Sequence, residues 1–202
     1  MPDTGAPWNI PYVESTDLVS DWPTDSLALA NAIDSGLDAA GGLVAVKHAL
    51  FTGTQTNSTA AGANFAVTDL SITHEVADAS NKLIVHGYVG VLGSSSATNS
   101  AAVAVYDGSS LLAVGDAAGD RSRVTAGGSF NVPDNTFEGR VANSRSFTFV
   151  HTPGSGSKTY TLRVINTTNT TRTMYVGRTE GDADSEDHTR GSAALVIQEV
   201  KV

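Results

Sequence analysis

Cysteine is absent from the 202 residues. Disulfide staples, thiolate nucleophiles and cysteine-ligated zinc or iron–sulfur centres are therefore excluded. Aromatic side chains are scarce, at 6%, so a core must be filled by Val, Leu, Ile and Ala. Charged residues make up 16%, well short of the usual share of about 25%, and the polar surface must come from Ser, Thr, Asn and Gly. That composition suits strands and turns rather than Lys- and Glu-rich helices. No run approaches the ~18 apolar residues that a membrane-crossing helix needs, and no membrane partner is expected. The opening residues from Met1 to Gly5 lack a basic stretch and an apolar stretch. No secretory signal is read there, and the expectation is a protein made and assembled in a cytoplasm. Positive charge is also short: 12 basic against 21 acidic residues leave a net charge of −9. Phosphate backbones repel such a chain, so no nucleic-acid partner is expected.

What is present divides the chain in two, 1–42 and 43–202. Residues 1–23 carry Pro2, Pro7, Pro11 and Pro23, which interrupt any helix. They also carry Trp8, Ile10, Tyr12, Val13, Leu18, Val19 and Trp22, so this extended arm has apolar area to bury. It either packs on its own domain or docks on a partner. Residues 24–40 read as one short α-helix, with Thr24 as N-cap and Asp25 near the positive end. Leu29, Ile33 and Leu37 recur at every fourth position and form one stripe, a candidate oligomer contact; Gly41-Gly42 ends the helix.

From Leu43 onward the period is two. Strands are expected at 43–52, 64–75, 82–92, 101–106, 110–114, 121–130, 146–151, 158–166, 172–178 and 192–201. Turn-rich stretches separate them, among them 53–62, 93–100, 133–139 and 181–191. Asp107-Gly108 between two β-type runs is a hairpin signal. Some ten short strands at this spacing indicate a mainly β fold, an antiparallel sandwich or barrel; the expectation is a jelly-roll-like β-sandwich preceded by the arm and helix. In the last strand Ala194, Val196 and Gln198 share one face and Leu195, Ile197 and Glu199 the other. That mixed polarity implies that both faces are partly covered, as when subunits pack sheet against sheet.

The arm Trp8-Asn9-Ile10-Pro11-Tyr12-Val13-Glu14-Ser15-Thr16-Asp17-Leu18-Val19, followed by Pro23 and a Leu/Ala helix to Gly41, resembles the start of a group of tailed-bacteriophage virion surface proteins. The interior run from Gly115 to Gly127 is similar to theirs. So is the end, from Met174-Tyr175-Val176-Gly177-Arg178 through Asp182, Asp184 and Arg190 to Val200. The resemblance implies a β-sandwich on the virion surface, a homotrimer, with the arm attached to the major capsid protein or another virion component. Capsid decoration, head fibre and short tail fibre are all compatible with it. The chain has no long repetitive shaft, which departs from a long fibre.

Residues able to do chemistry form no recognisable set. Five histidines, His48, His74, His86, His151 and His188, include no pair at metal-binding helical spacing, and His74-Glu75 lies in a β pattern. Asp182, Asp184 and Glu186 place oxygens at alternate positions like the start of a calcium loop. Asp187 stands where the loop needs glycine, and Ala193 where it needs the distal carboxylate. A solvated turn facing Arg178 and Arg190 competes with a weak calcium site. Arg121 and Arg123, read on a strand, point the same way, either to a neighbour's carboxylates or to water. No nucleophile elbow or carboxylate pair stands out, so no catalytic residue and no cofactor are expected. The reading is a virion structural protein that acts by binding, anchored through Trp8, Ile10, Tyr12, Leu18, Val19 and Trp22. The alternative is a short tail-fibre protein, or a receptor- or glycan-binding protein.

Overall fold

The alternating residues after Gly42 fold into twelve strands in the computed structural model, which describes residues 27–33, 42–95, 98–99, 101–127, 130–131, 142–186 and 188–202. They are β1 (Leu43–Phe51), β2 (Gln55–Thr59), β3 (Asn64–Val76), β4 (Lys82–Ser94), β5 (Thr98–Asn99), β6 (Ala101–Asp107), β7 (Ser110–Leu112), β8 (Phe130–Asn131), β9 (Ala142–His151), β10 (Gly156–Asn166), β11 (Arg172–Val176) and β12 (Ala193–Val200). A helical segment, 27–33, precedes them.

The pairing is nested. β6 pairs β7, β5 pairs β8, β4 pairs β9, β3 pairs β10, β2 pairs β11 and β1 pairs β12, all antiparallel. The chain is thus one long hairpin that reverses at Gly108, where φ is +57° and the amide donates to the Thr159 carbonyl at 3.0 Å. Rolling that hairpin adds three further contacts: β12 beside β4, β11 beside β4, and β10 beside β6. Two main sheets result. One runs β9, β4, then β12 and β11 end to end, then β1 and β2 end to end; the other runs β3, β10, β6, β7. This strand order is a jelly roll, the two-sheet Greek-key solution to leaving few open edges.

Side chains from both sheets meet between them. Val67 and Leu70 of β3 and Leu162 and Val164 of β10 pack with Val89 and Leu92 of β4 and Met174 and Val176 of β11. Nearer the start of β1, Ile72 and Val76 meet Leu83, Val85, Leu195 and Ile197, with Tyr160 fully buried among them. The core is aliphatic, as the shortage of aromatics requires.

Glycine decides where the sheet breaks. β1 and β2 are separated at Gly53, β11 and β12 by the excursion 177–192, and β4 carries a register shift between Val89 and Leu92. These interruptions coincide in space. The Gly90 amide donates to the Ser192 carbonyl and the Gly177 amide to the Val91 carbonyl, both at 2.8 Å, and the Gly191 amide donates to the Gly177 carbonyl at 3.1 Å. Gly177 has φ +76°, and a Cβ there would overlap the Gly53 carbonyl oxygen and crowd that of Gly191.

Several expectations need correction. The stretch 53–62 is not all turn, because β2 lies inside it: Gln55 to Thr59 are polar but find a ladder on β11. Over 121–127 the strand expected at 121–130 does not form: Ala126 alone bridges, to Val103, and Arg123 lies in an irregular segment where its Nε donates to the Gly115 carbonyl at 2.8 Å. Arg121 and Arg123 are therefore exposed but share no strand face. The strand expected from 146 begins at Ala142. Of the helix expected at 24–40, residues 27–33 are described as helical.

Gly177→Ala combines a left-handed backbone with a backbone overlap, and is expected to cost more than about 2 kcal/mol. Gly62 also has positive φ, at +67°, but faces open space, so Gly62→Ala should cost only about 1 kcal/mol. Thermal melts of the two variants check this. Equal losses would show that the glycine junction does not constrain the sheet.

Candidate functional site

The two sheets present unlike outer surfaces. On the β3–β10–β6 sheet the outward residues are largely hydroxyl-bearing or charged. Ser71 and Thr161, and Thr73 and Thr159, pair through their hydroxyls at 3.0 Å across the strands. The Arg163 guanidinium lies 4.7 Å over the Tyr106 ring and donates to Asn64 Oδ1 at 3.1 Å. On the β9–β4–β12–β1 sheet the outward residues form three cross-strand rows: Val150–Ile84–Gln198–Val46, Thr148–His86–Val196–His48, and Ser146–Tyr88–Ala194–Leu50. Val150 is 61% exposed, Leu50 54% and Val46 50%, so the apolar part of this face is bare. Four of its six polar side chains are turned on one another or on Ser192, while His48 and Ser146 face solvent. His86 Nδ1 shares a hydrogen bond with Thr148 Oγ1 at 3.0 Å, and its Nε2 one with Gln198 Oε1 at 3.3 Å. Tyr88 Oη bonds Ser192 Oγ at 2.9 Å. Between β9, β4 and β12 the face sinks into a hollow of about 240 Å³ lined by His86, Tyr88, Thr148, Ala194 and Val196.

Between the sheets lies a buried carboxylate. The inward parity of Leu195 and Ile197 carries Glu199 inward as well, and it is 1% exposed. His74 Nε2 donates to its Oε2 at 2.7 Å, Asn81 Nδ2 to its Oε1 at 2.6 Å, and the Ala77 amide to Oε1 at 3.0 Å. Burial pushes this carboxyl up, but the bonds from Asn81, His74 and the Ala77 amide outweigh it and hold the group below the ordinary carboxylate range. The contacts join β3 and the 77–81 turn to β12, so the cluster ties one sheet to the other. His151 lies 3.9 Å from Asp107 and edge-on to Tyr160. Burial there lowers the imidazole pKa and, with Asp107 close by, raises that of the phenol.

The third feature is the excursion between β11 and β12. Asp182, with φ +44°, receives Arg190 as a fork, Nε at 3.0 Å and Nη2 at 2.9 Å, while Arg178 Nη1 stands 3.4 Å away. Arg178 also lies over the Tyr175 ring at 4.8 Å, and His188 Nδ1 bonds Thr179 Oγ1 at 2.8 Å. Two guanidiniums thus occupy the carboxylate that a calcium ion needs, while Asp184 and Glu186 point to solvent. Among the described residues no three metal-ligating side chains converge.

The residues expected to anchor the chain, Trp8, Ile10, Tyr12, Leu18, Val19 and Trp22, lie outside the described residues, as does Leu37. Of the helical stripe, Leu29 is half-buried and Ile33 exposed. The sequence reading expected the face of Ala194, Val196 and Gln198 to be partly covered; what it missed is that β1 extends this face with exposed apolar residues. Its signal was present in β1, where Val44, Val46 and Leu50 are apolar on the parity opposite to Ala45, Ala49 and Phe51.

No family model matches the chain, and no curated protein matches it. Among solved structures, a chain from the structure of infectious bursal disease virus, Gx strain, is similar with a TM-score of 0.38 and 12% identity. The match covers 79% of this chain and 41% of that one, so the chain spans less than half of that neighbour's length. The jelly-roll assignment rests on the strand pairing itself.

Glu199 and the Asp182 fork each lead to a measurable outcome. Glu199 ionises more easily folded than unfolded, so its contribution is fully present above the unfolded value and is lost as pH falls through the lower folded value. Urea denaturation of wild type between roughly pH 5 and pH 3 should show falling stability, and Glu199→Gln should flatten that slope. At neutral pH His74→Ala, which strips a donor from a buried charge, is expected to cost about 3–5 kcal/mol. For the 177–192 excursion, melting midpoints with and without EGTA should agree within a few degrees. A large loss in EGTA would show that the Asp182 fork yields to calcium.

Proposed function

We propose that this chain is a structural protein of a virus particle, a tailed-phage surface protein that acts by binding and not by catalysis. The arm 1–42 attaches a homotrimer to the major capsid protein or another virion component, and the jelly roll projects from it. The observation that carries this reading is where the β domain is tethered. β1 starts beside the end of β12, with Leu43 opposite Val200 and the Lys201 amide donating to the Gly42 carbonyl at 2.9 Å. The arm and helix therefore join the domain at one pole, and the turns at 60–63 and 167–171 lie at the opposite pole. A tether at one pole and display at the other is the geometry of a decorating protein. The arm's resemblance to phage virion surface proteins supports the same reading, and the jelly roll is an architecture of viral capsid domains. It is also one of lectin domains, and architecture alone assigns no function.

Burying one large aromatic contributes on the order of 2–3 kcal/mol, and three linked arms multiply that through effective concentration. Removal of residues 1–23 should leave a folded domain that no longer joins particles, and Trp8→Ala with Trp22→Ala should weaken attachment without unfolding. Co-sedimentation with particles, beside a circular dichroism melt, measures both. Full occupancy by the truncated protein sinks the anchor assignment. Unfolding on truncation places the arm in the domain's own core.

A further inference from the structure

We infer that the outer face of the β9–β4–β12–β1 sheet is where copies of this chain meet, the apolar ridge of β1 from one copy lying in the hollow between β9, β4 and β12 of another. This rests on the proposal that the chain is a homo-oligomer, and it names the surface that makes it one.

Four observations converge on that occupant. The first is the ridge itself: Leu43, Val44, Val46 and Leu50 are four of the nine exposed large hydrophobic residues among those described, and all lie on β1. Tyr88 and Val150 of the same sheet add two more. The second is that the face is ready to be dried. The polar atoms of His86, Thr148, Gln198 and Tyr88 already bond one another or Ser192, so burial against an apolar surface strands few of them.

The third is charge. The chain carries −9 overall, yet the three rows hold no carboxylate and no Lys or Arg. Two copies can therefore bring this face together without burying an ion or opposing like charges. The fourth is size. Four strands at ~4.8 Å and seven residues at ~3.3 Å give a footprint of about 440 Å². That is the scale of a large apolar patch and about half of what each partner in a stable complex contributes. A contact that uses the ridge and the hollow at once covers the whole of that footprint on each copy. A two-fold axis along the strands does so in a pair, and a heterologous ridge-in-hollow contact does so in a closed three-fold ring.

Light scattering after size exclusion tests the surface on the full chain. Wild type is expected at a multiple of 20.8 kDa, three-fold for the trimer. Val46→Asp with Leu50→Asp, and separately Ala194→Arg in the hollow, should bring the mass to that of the monomer with an unchanged circular dichroism spectrum. Thr161→Asp, on the outer face of the other sheet, should leave the oligomer intact. Tyr88→Ser is milder, and should raise the dissociation constant at least tenfold should the aspartate pair fail to fold.

An oligomer whose mass is untouched by the ridge and hollow variants overturns the inference. So does a wild-type monomer in which removal of residues 1–23 increases binding of an apolar dye, since the chain's own arm then covers the face. Particle binding separates this from the proposed function. Face variants that are monomeric yet still join particles leave the virion reading standing, whereas an oligomer built on this face that never joins particles sinks that reading alone.

Discussion

Each strand of this chain has its partner at the mirrored position about the Asp107-Gly108 turn, and the whole structure depends on that nesting. β1 takes its ladder from β12, which begins 150 residues further along the chain and lies between β1 and β4. Such topology is dominated by distant contacts, which makes folding slow and leaves strand edges exposed meanwhile. It also fixes the poles. The outermost pair, β1 with β12, brings the entry and the exit of the β domain together, and the innermost pair, β6 with β7, closes the second sheet at its edge.

Rolling the hairpin joins elements that no local signal connects, and polar groups secure the joins. Glu199 is reached by His74 from the other sheet and by Asn81 and Ala77 from the turn between β3 and β4. A carboxylate held by three donors is costly to bury and costlier to leave half-satisfied, so it penalises any slip of β12 against β3. At the opposite pole Asn166 acts in the same way: its Nδ2 donates to the carbonyls of Thr59 and Thr170 at 2.8 Å and of Ala60 at 3.1 Å. On the flank, Gln55 fills the irregular stretch of β3 with its side-chain amide, donating to the Ala66 carbonyl and accepting from the Thr68 amide. In a core with few aromatics, these bonds set register where packing of Val and Ala alone is permissive.

Strands rich in apolar β-type residues and bounded by turn signals were legible in the sequence. β3, β4, β6, β10 and β12 fall within two residues of expectation, and Asp107-Gly108 marks the hairpin because the reversal needs a positive φ that glycine supplies. β2 was not legible, since Gln55-Thr56-Asn57-Ser58-Thr59 carries no apolar signal and is held by its ladder to β11. The run from Arg121 to Phe130 misled in the other direction: its alternation is real, but beyond the Ala126 bridge it forms no ladder over 121–127. The Glu199 cluster was half legible. Parity put Glu199 on the face of Leu195 and Ile197, but only the fold brings His74 and Asn81 to it. The four-glycine junction was invisible, because its members are distant in sequence: Gly53 and Gly191 read as turn residues, and Gly90 and Gly177 fell inside expected strands.

The contrast between the outer faces gives the surface a division of labour. Carboxylates sit in turns and on the β3 sheet, at Asp69, Glu75, Asp78, Asp116, Asp120, Asp184 and Glu186, all exposed. They hold unrelated acidic surfaces apart and keep a crowded protein soluble. The β9–β4–β12–β1 face has none of that protection across its three rows. An apolar sheet face left open in an acidic chain is an aggregation hazard unless something specific covers it. Outward threonine or lysine on β1 would have removed the hazard at little cost to the core, since the inward residues Ala49 and Phe51 already pack on the second sheet. Val44, Val46 and Leu50 therefore contribute little to the fold of one copy. Their physical sense lies in what they exclude water from.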